Sequence, residues 1–260
     1  MQETPAENTI TFLGTAGARF MVTRQLSGSG GMWLNLEGTE VLLDPGPGSI
    51  VQATKRKLRP EKLNAIIVSH RHLDHAADVN IMVEAMTEGG FRRHGYFFAP
   101  ADALNEEPVL FSYLRAYLDG IEVLEAGKSY RVGNISFTTP VRHLHPVETY
   151  GIVFRAAGHS FAYIADTRYF DGLLESYRAE LLIINVVLLE ARPGVDHLNL
   201  PDVAHIVREI QPKTAIITHF GMGVWKARPW EIAERLTQET GVPVMAARDG
   251  LKFDLARLDG

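Results

Sequence analysis

No cysteine occurs anywhere in the 260 residues. That single absence removes disulfides, thiolate nucleophiles and thiolate metal ligands together, so any metal this chain holds must be held by histidine nitrogen and carboxylate oxygen. Zinc ribbons and cysteine hydrolases are excluded with it. There is also no apolar run of about 18 residues, the length a membrane-spanning helix needs. The acidic opening MQETPAEN lacks the basic and apolar regions of a signal peptide. The expectation is a cytoplasmic protein with no membrane partner. Positive charge is scarce as well: 26 Lys+Arg against 31 Asp+Glu leave a net charge of -5. Gripping extended nucleic acid over a whole surface takes a concentration of Lys and Arg, so that class of partner is disfavoured. The one local concentration is KRKLRPEK, Lys55 to Lys62, a kind of run that is more often a solvated face.

What is present reads as alternating strands and helices. A hydrophobic content of 46% supports a substantial core in one large α/β unit or two small ones. Ile10 to Leu13 begins as a strand. Through Gly28, Gly30 and Gly31 the chain reaches Met32 to Leu36, and Glu37 to Glu40 turns it back into Val41 to Leu43, an antiparallel start. A helix runs through Met82 and Met86, both read as core, and Tyr96 to Phe98 reads as a strand. Pro108 opens a second helix, in which Leu110, Tyr113, Leu114, Tyr117 and Leu118 recur at helical spacing as a core stripe. Residues 130 to 142 and 151 to 165 are β segments turning at Gly133-Asn134 and Ala157-Gly158. LLIINVVLL, 181 to 189, is a buried strand, Pro201 to Ile210 a helix, and Thr214 to Thr218 a strand. Trp230 to Thr240 is a helix stopped by Gly241, and Met245 to Leu255 a strand pair about Asp249-Gly250. No linker rich in Pro, Gly or Ser divides the chain, so one domain over 1–260 is expected, with residues 1–8 frayed.

The chemistry is concentrated where an apolar strand, Leu63 to Val68, runs into SHRHLDHAAD. Residues two apart in extended backbone face the same side, so His70 and His72 can approach one cation from one wall. Asp74 and His75 open the following helical segment and leave the turn in another direction, toward a second cation. One histidine here would pass as a helix-start residue; three with a carboxylate exceed what that role needs. Asp44, in LLDPGPG after the third strand, either caps its turn or braces a ligand histidine. In VRHLHPVETYG, both His143 and His145 sit in a loop between strands, where a metal ligand would be presented.

HRHLDH matches the HxHxDH signature, and the chain resembles the metallo-β-lactamase-fold hydrolases across residues 9 to 256. The resemblance implies an αββα sandwich, two mixed sheets flanked by helices. The FLGT opening and glycine-rich return are similar to the branch containing the tRNA 3′-end endonucleases (RNase Z) and phosphodiesterases. In that branch a glycine follows the third ligand histidine at the spacing of His145 to Gly151, which selects His145, with His143 as the fallback. Asp166, ending FAYIADT, matches the bridging aspartate, and His219 before FGMG the last ligand. By this resemblance His70, His72 and His145 hold a first ion, and Asp74, His75 and His219 a second, with Asp166 between them. His72 stands where the oxygen-reducing diiron branch has Glu, and Asp166 where zinc β-lactamases have Cys.

Two divalent ions are therefore expected, Zn2+ first, with Mn2+ or Fe also suited to N/O ligands. Such a pair can supply a bridging hydroxide at neutral pH without a nucleophilic side chain. Asp74 and His197, the latter in DHLNLPDVAHIVREI, are the catalytic candidates; His197 resembles the histidine with which the endonuclease branch assists phosphodiester cleavage, and a helix-start histidine bonded to backbone is the alternative. His159 and His205 read as structural, while Arg168, Lys226 and Arg228 are weaker candidates for gripping an anion. The reading is a dinuclear hydrolase of phosphodiesters acting on a small-molecule or nucleotidic anion, with a homodimer allowed by the resemblance. Lactone or thioester hydrolysis on the same site, or a non-catalytic metal-stabilised binding module, are the alternatives.

Overall fold

The computed structural model describes residues 8–29 and 31–259. Its strands are β1 (Thr9–Phe12), β2 (Met32–Leu36), β3 (Thr39–Leu43), β4 (Ala65–Ile67), β5 (Tyr96–Ala99), β6 (Gly120–Val123), β7 (Lys128–Val132), β8 (Ile135–Thr139), β9 (Ile152–Ala156), β10 (His159–Ile164), β11 (Leu181–Asn185), β12 (Thr214–Thr218), β13 (Val244–Ala246) and β14 (Lys252–Asp254). They form two seven-stranded sheets, in the orders β14-β1-β2-β3-β4-β5-β6 and β13-β12-β11-β10-β9-β8-β7. From β14 to β3 neighbours are antiparallel and from β3 to β6 parallel. The second sheet repeats the scheme, parallel from β13 to β10 and antiparallel from β10 to β7. Both sheets are mixed.

Alternation of side chains across each strand builds three apolar layers. On β3, Val41 and Leu43 join the layer between the sheets while Leu42 faces outward; on β11, Leu181 and Ile183 face inward and Leu182 and Ile184 outward. A strand covered on both faces must be apolar at every position, which is why these segments read as continuous hydrophobic runs. Helices cover the outer faces: α1 (Ala18–Arg24), α2 (Ser49–Lys55), α3 (Leu73–Ala76), α4 (Val79–Met86) and α5 (Ala101–Asn105) belong to the first half, and α6 (Gly172–Ser176), α7 (Leu200–Ile210), α8 (Met222–Lys226) and α9 (Pro229–Thr240) to the second. Met82 and Met86 are fully buried, as expected of core. Asn199 caps α7 in a reciprocal box with Asp202. None of the helices among the described residues is long and apolar enough to cross a membrane.

Several expectations are corrected. The helix from Pro108 is a 3-10 helix over Ser112–Tyr117. Leu110, Leu114 and Leu118 are buried and Tyr117 packs half-buried against them, as expected of a core stripe, but the tighter turn leaves Tyr113 exposed. The strand of 181 to 189 ends at Asn185. Met245 to Leu255 is no hairpin: β13 pairs with β12 and β14 with β1, in different sheets. Asp249 instead spends its carboxylate on Thr15 Oγ1, Ser27 Oγ and the Gly28 amide. The glycine-rich return holds a short helix, α1, that composition did not reveal; Gly30 lies outside the described residues. So does the fraying expected of the N-terminus, except at Asn8, which bonds to Glu37 and Leu255.

Candidate metal centre

The parallel strands β3, β4, β10, β11 and β12 all deliver polar residues just past or at their carboxyl ends: Asp44, Ser69-His70, Asp166, Asn185 and His219. This is the end of a parallel sheet where α/β proteins bind ligands. His72 stands at the N-cap position of α3, the helix itself carries Asp74 and His75, and His145 arrives from the β8–β9 loop.

Two donor sets result. His70, His72 and His145 form one and Asp74, His75, Asp166 and His219 the other, each with its donor atoms within 4.8 Å of one another. His72 Nδ1 lies 3.1 Å from both His70 Nε2 and His145 Nε2. Tetrahedral nitrogens about 2.0–2.1 Å from a zinc ion stand about 3.3 Å apart. In the second set His75 Nε2 and His219 Nε2 are 2.9 Å apart, and Asp74 Oδ2 is 3.3 Å from His219 Nε2. Asp166 Oδ2 lies 3.5 Å from His75 Nε2 and 3.9 Å from His70 Nε2, which places that oxygen toward both sets.

Outer partners fix which nitrogen of each ring carries its proton. His145 Nδ1 donates to the Asp196 carbonyl at 2.9 Å, leaving Nε2 as a lone pair facing the site. Ser69 Oγ donates to Asp44 Oδ2, so it accepts from His70 Nδ1, and His70 Nε2 also faces inward unprotonated. His75 Nδ1 donates to Asp44 Oδ2 at 2.9 Å. Two lone pairs thus converge on His72 Nδ1, where one proton could satisfy only one of them well. A cation satisfies all three, and the donor set fits one.

Electrostatics agree in direction. Burial, then the charge of His75, holds His70 well below the ordinary imidazole value; burial and His145 lower His72 to about 4. Burial pushes the carboxyls of Asp74 and Asp166 up, but the surrounding histidines outweigh it and both stay ionised well below the usual range. For His75 burial lowers the pKa while Asp44, Asp74 and Asp166 raise it further, so the ring favours a second proton. A cation entering the second set must displace that proton, and binding there is coupled to proton release.

A family model described as the beta-lactamase superfamily domain matches residues 39–220. The chain belongs to this superfamily. An uncharacterized protein of Methanocaldococcus jannaschii is 30% identical over 253 residues, covering 95% of this chain and 94% of the relative. Ribonuclease Z of Methanosarcina acetivorans is 26% identical, covering 81% of this chain and 86% of its own. The crystal structure of the metallo-beta-lactamase fold protein YhfI from Bacillus subtilis superposes with a TM-score of 0.79 at 22% identity, over 95% of this chain and 99% of that one, and so shares the fold. Superfamily membership and the paired donor sets make the chain a metal-dependent hydrolase.

Within this beta-lactamase superfamily member the other candidates fall as follows. His143 is fully buried away from both donor sets: its Nδ1 donates to the Asp166 carbonyl and its Nε2 accepts from Tyr177 Oη. His197 lies at the site, with Nδ1 3.5 Å from Asp166 Oδ2 and its ring against His145. His205 bonds Tyr169 Oη, and His159 pairs with Glu180 and Asp259. Arg168 is exposed beside Asp196, Arg228 pairs with Glu231, and Lys226 is exposed at the end of α8. Asp44 braces rather than merely turns: it accepts from the Ser69 amide, Ser69 Oγ, His75 Nδ1 and Tyr163 Oη. Sequence reasoning missed Tyr163 and Asn185. Asn185 donates to Tyr163 Oη and Asp166 Oδ1, holding that carboxylate. The available signal was a lone amide ending the apolar run LLIIN.

Proposed function

We propose that this metal-dependent hydrolase cleaves phosphodiesters, nucleotidic ones included, at a dinuclear centre. His70, His72 and His145 would hold one divalent ion, and Asp74, His75 and His219 the other, with Asp166 presented to both. Bound there, such ions supply Lewis acidity toward a phosphoryl oxygen and hydroxide at neutral pH. The similarity to a ribonuclease Z supports a phosphodiester substrate.

The observation that carries the reading is His197. It stands 3.5 Å from Asp166 and against His145, at the junction of the two donor sets, where a departing oxygen would need a proton. Burial lowers its pKa and Asp166 opposes the shift, so His197 is a stronger acid than a free imidazole and is retained beside an anion that favours its protonated form. Alkoxide leaving groups need such a donor far more than thiolates do. Ser69, Asp44 and the Asp196 carbonyl orient the histidines; Asn185 fixes Asp166.

The test compares bis(p-nitrophenyl) phosphate, a thioester and a lactone, each with metal-loaded and metal-depleted protein. Diester cleavage that disappears with the metal is expected. His197→Ala should slow a diester with a poor alkoxide leaving group by about 10²- to 10⁴-fold and one releasing p-nitrophenolate much less, with metal content constant. Robust lactone or thioester turnover by metal-loaded protein that leaves the diester intact would sink the proposal.

A further inference from the structure

Beside the first donor set lies a cavity of about 650 Å³ whose lining includes Arg71, His72, Leu73, Val109, Phe111 and Val147. Its size is that of a pocket for an organic ligand, and His72 belongs to both the cavity and the donor set. Its walls are largely apolar. Leu73, set between His72 and Asp74, is 76% exposed, and Phe111 is 55% exposed. Because Leu73 and Phe111 line one cavity with Val109 and Val147, they form a shared apolar surface beside a polar centre, the kind that marks a ligand-binding groove.

The one cation in the lining is already neutralised. Arg71 Nε donates to Asp102 Oδ2 at 2.8 Å and its guanidinium also pairs with Glu107. The cavity is therefore poorly suited to a second anionic group. Those same contacts hold it in shape: Asp102 Oδ2 also accepts from the Glu148 amide, tying the metal loop to the segment that follows His145. On the other wall Asn80 of α4 donates to the Val109 carbonyl and accepts from the Phe111 amide, so Phe111 is pinned through its backbone. The pocket is built before any ligand arrives.

Resting on the phosphodiester reading above, we propose that this cavity receives one ester substituent of the substrate and selects an uncharged, ring-bearing group up to the size of a nucleoside. Phe111 and Leu73 supply the apolar faces, and Arg71 is a positioning residue that shapes the wall without binding the anion. Specificity for the organic part of the diester then resides in the segment 107 to 111, while the donor sets handle the phosphate.

Two diesters with the same leaving group test this: methyl p-nitrophenyl phosphate and thymidine 5′-(p-nitrophenyl phosphate), with parent protein, Phe111→Ala and Phe111→Asp. Because Phe111 is exposed and held by its backbone, both variants should keep their metal content and melting temperature. The parent should show a KM for the nucleoside diester roughly tenfold or more below that for the methyl diester. Both variants should lose that preference, with the methyl diester turned over as before. Saturation-transfer NMR with free thymidine provides a readout independent of turnover: the parent should saturate its base protons and Phe111→Asp should not. Variants that retain the parent's preference, or a parent that neither prefers the nucleoside diester nor contacts thymidine, would overturn the pocket assignment. Thymidine contact that depends on Phe111 in a protein cleaving neither diester upholds the pocket and defeats the phosphodiester reading alone.

Discussion

His143 and His145, two residues apart in one loop, meet opposite fates. His145 turns its Nε2 toward His72, whereas His143 is closed between the Asp166 carbonyl and Tyr177. His145→Ala should therefore empty the first donor set and abolish activity, while His143→Ala should leave metal content unchanged by elemental analysis. The pH behaviour separates them again. Burial lowers His143 to about 4, with the Asp166 backbone and carboxylate opposing, against an ordinary value of 6.5. A depressed histidine is neutral in both states above 6.5. As pH falls from 6.5 to 4 the unfolded chain gains the proton first, so native stability is lost across that window, by about 3 kcal/mol at most. His143→Gln in metal-free protein should remove that part of the loss; a difference from parent that stays flat between pH 7 and 4 would refute it. Most of the donors were legible because His and Asp at the ends of apolar runs have few structural uses. Choosing between His143 and His145 from the residues alone was not possible, since an irregular loop has no fixed side-chain parity.

At the level of elements, strands with uninterrupted apolar runs could be read directly because burial on both faces permits nothing else. What could not be read depended on contacts across the chain. Asp249-Gly250 has the composition of a hairpin turn, but the Asp249 carboxylate is committed to Thr15, Ser27 and Gly28, and the flanking strands part to different sheets. Helix α1 begins where Gly17 packs on the ligand strand of the opposite sheet. A Cβ on Gly17 would lie 2.2 Å from His219 Nδ1 and 2.4 Å from the His219 carbonyl. His219 itself has φ +58, a conformation seldom adopted by residues other than glycine, and so has little latitude to retreat. Gly17→Ala should cost about 1–3 kcal/mol of stability from overpacking and lower occupancy of the second donor set while sparing the first. Isothermal titration of metal-depleted protein reads this directly: two sites filled as in the parent would show that the loop yields.

Over the whole molecule, neither sheet carries a complete donor set. The first needs His145 from the loop between β8 and β9 to join His70 and His72 from the end of β4, and the second joins Asp74 and His75 to Asp166 and His219 from the other sheet. The repeated pattern of antiparallel and parallel pairings brings the carboxyl ends of the central strands together, which is the architectural reason a site can form there. This much followed from the HxHxDH resemblance. The sheet closure did not: β14, almost at the C-terminal end of the described residues, pairs with β1, almost at their beginning.

That closure sets a clock on biosynthesis. Ribosomes add roughly 5–20 residues per second, so the strand Thr9–Phe12 waits on the order of 12 to 48 s before its partner Lys252–Asp254 is even polymerised. Through that interval the nascent chain presents an open row of amides and carbonyls, the template on which one polypeptide captures another. Yield in the cell is then expected to depend on a race between elongation and association as well as on equilibrium stability. Replacing the codons from α9 through β14, residues 229 to 254, with slow synonymous ones should lower the soluble fraction while the protein that is recovered melts at the parental temperature. An unchanged soluble fraction would mean that β1 is shielded before its partner arrives.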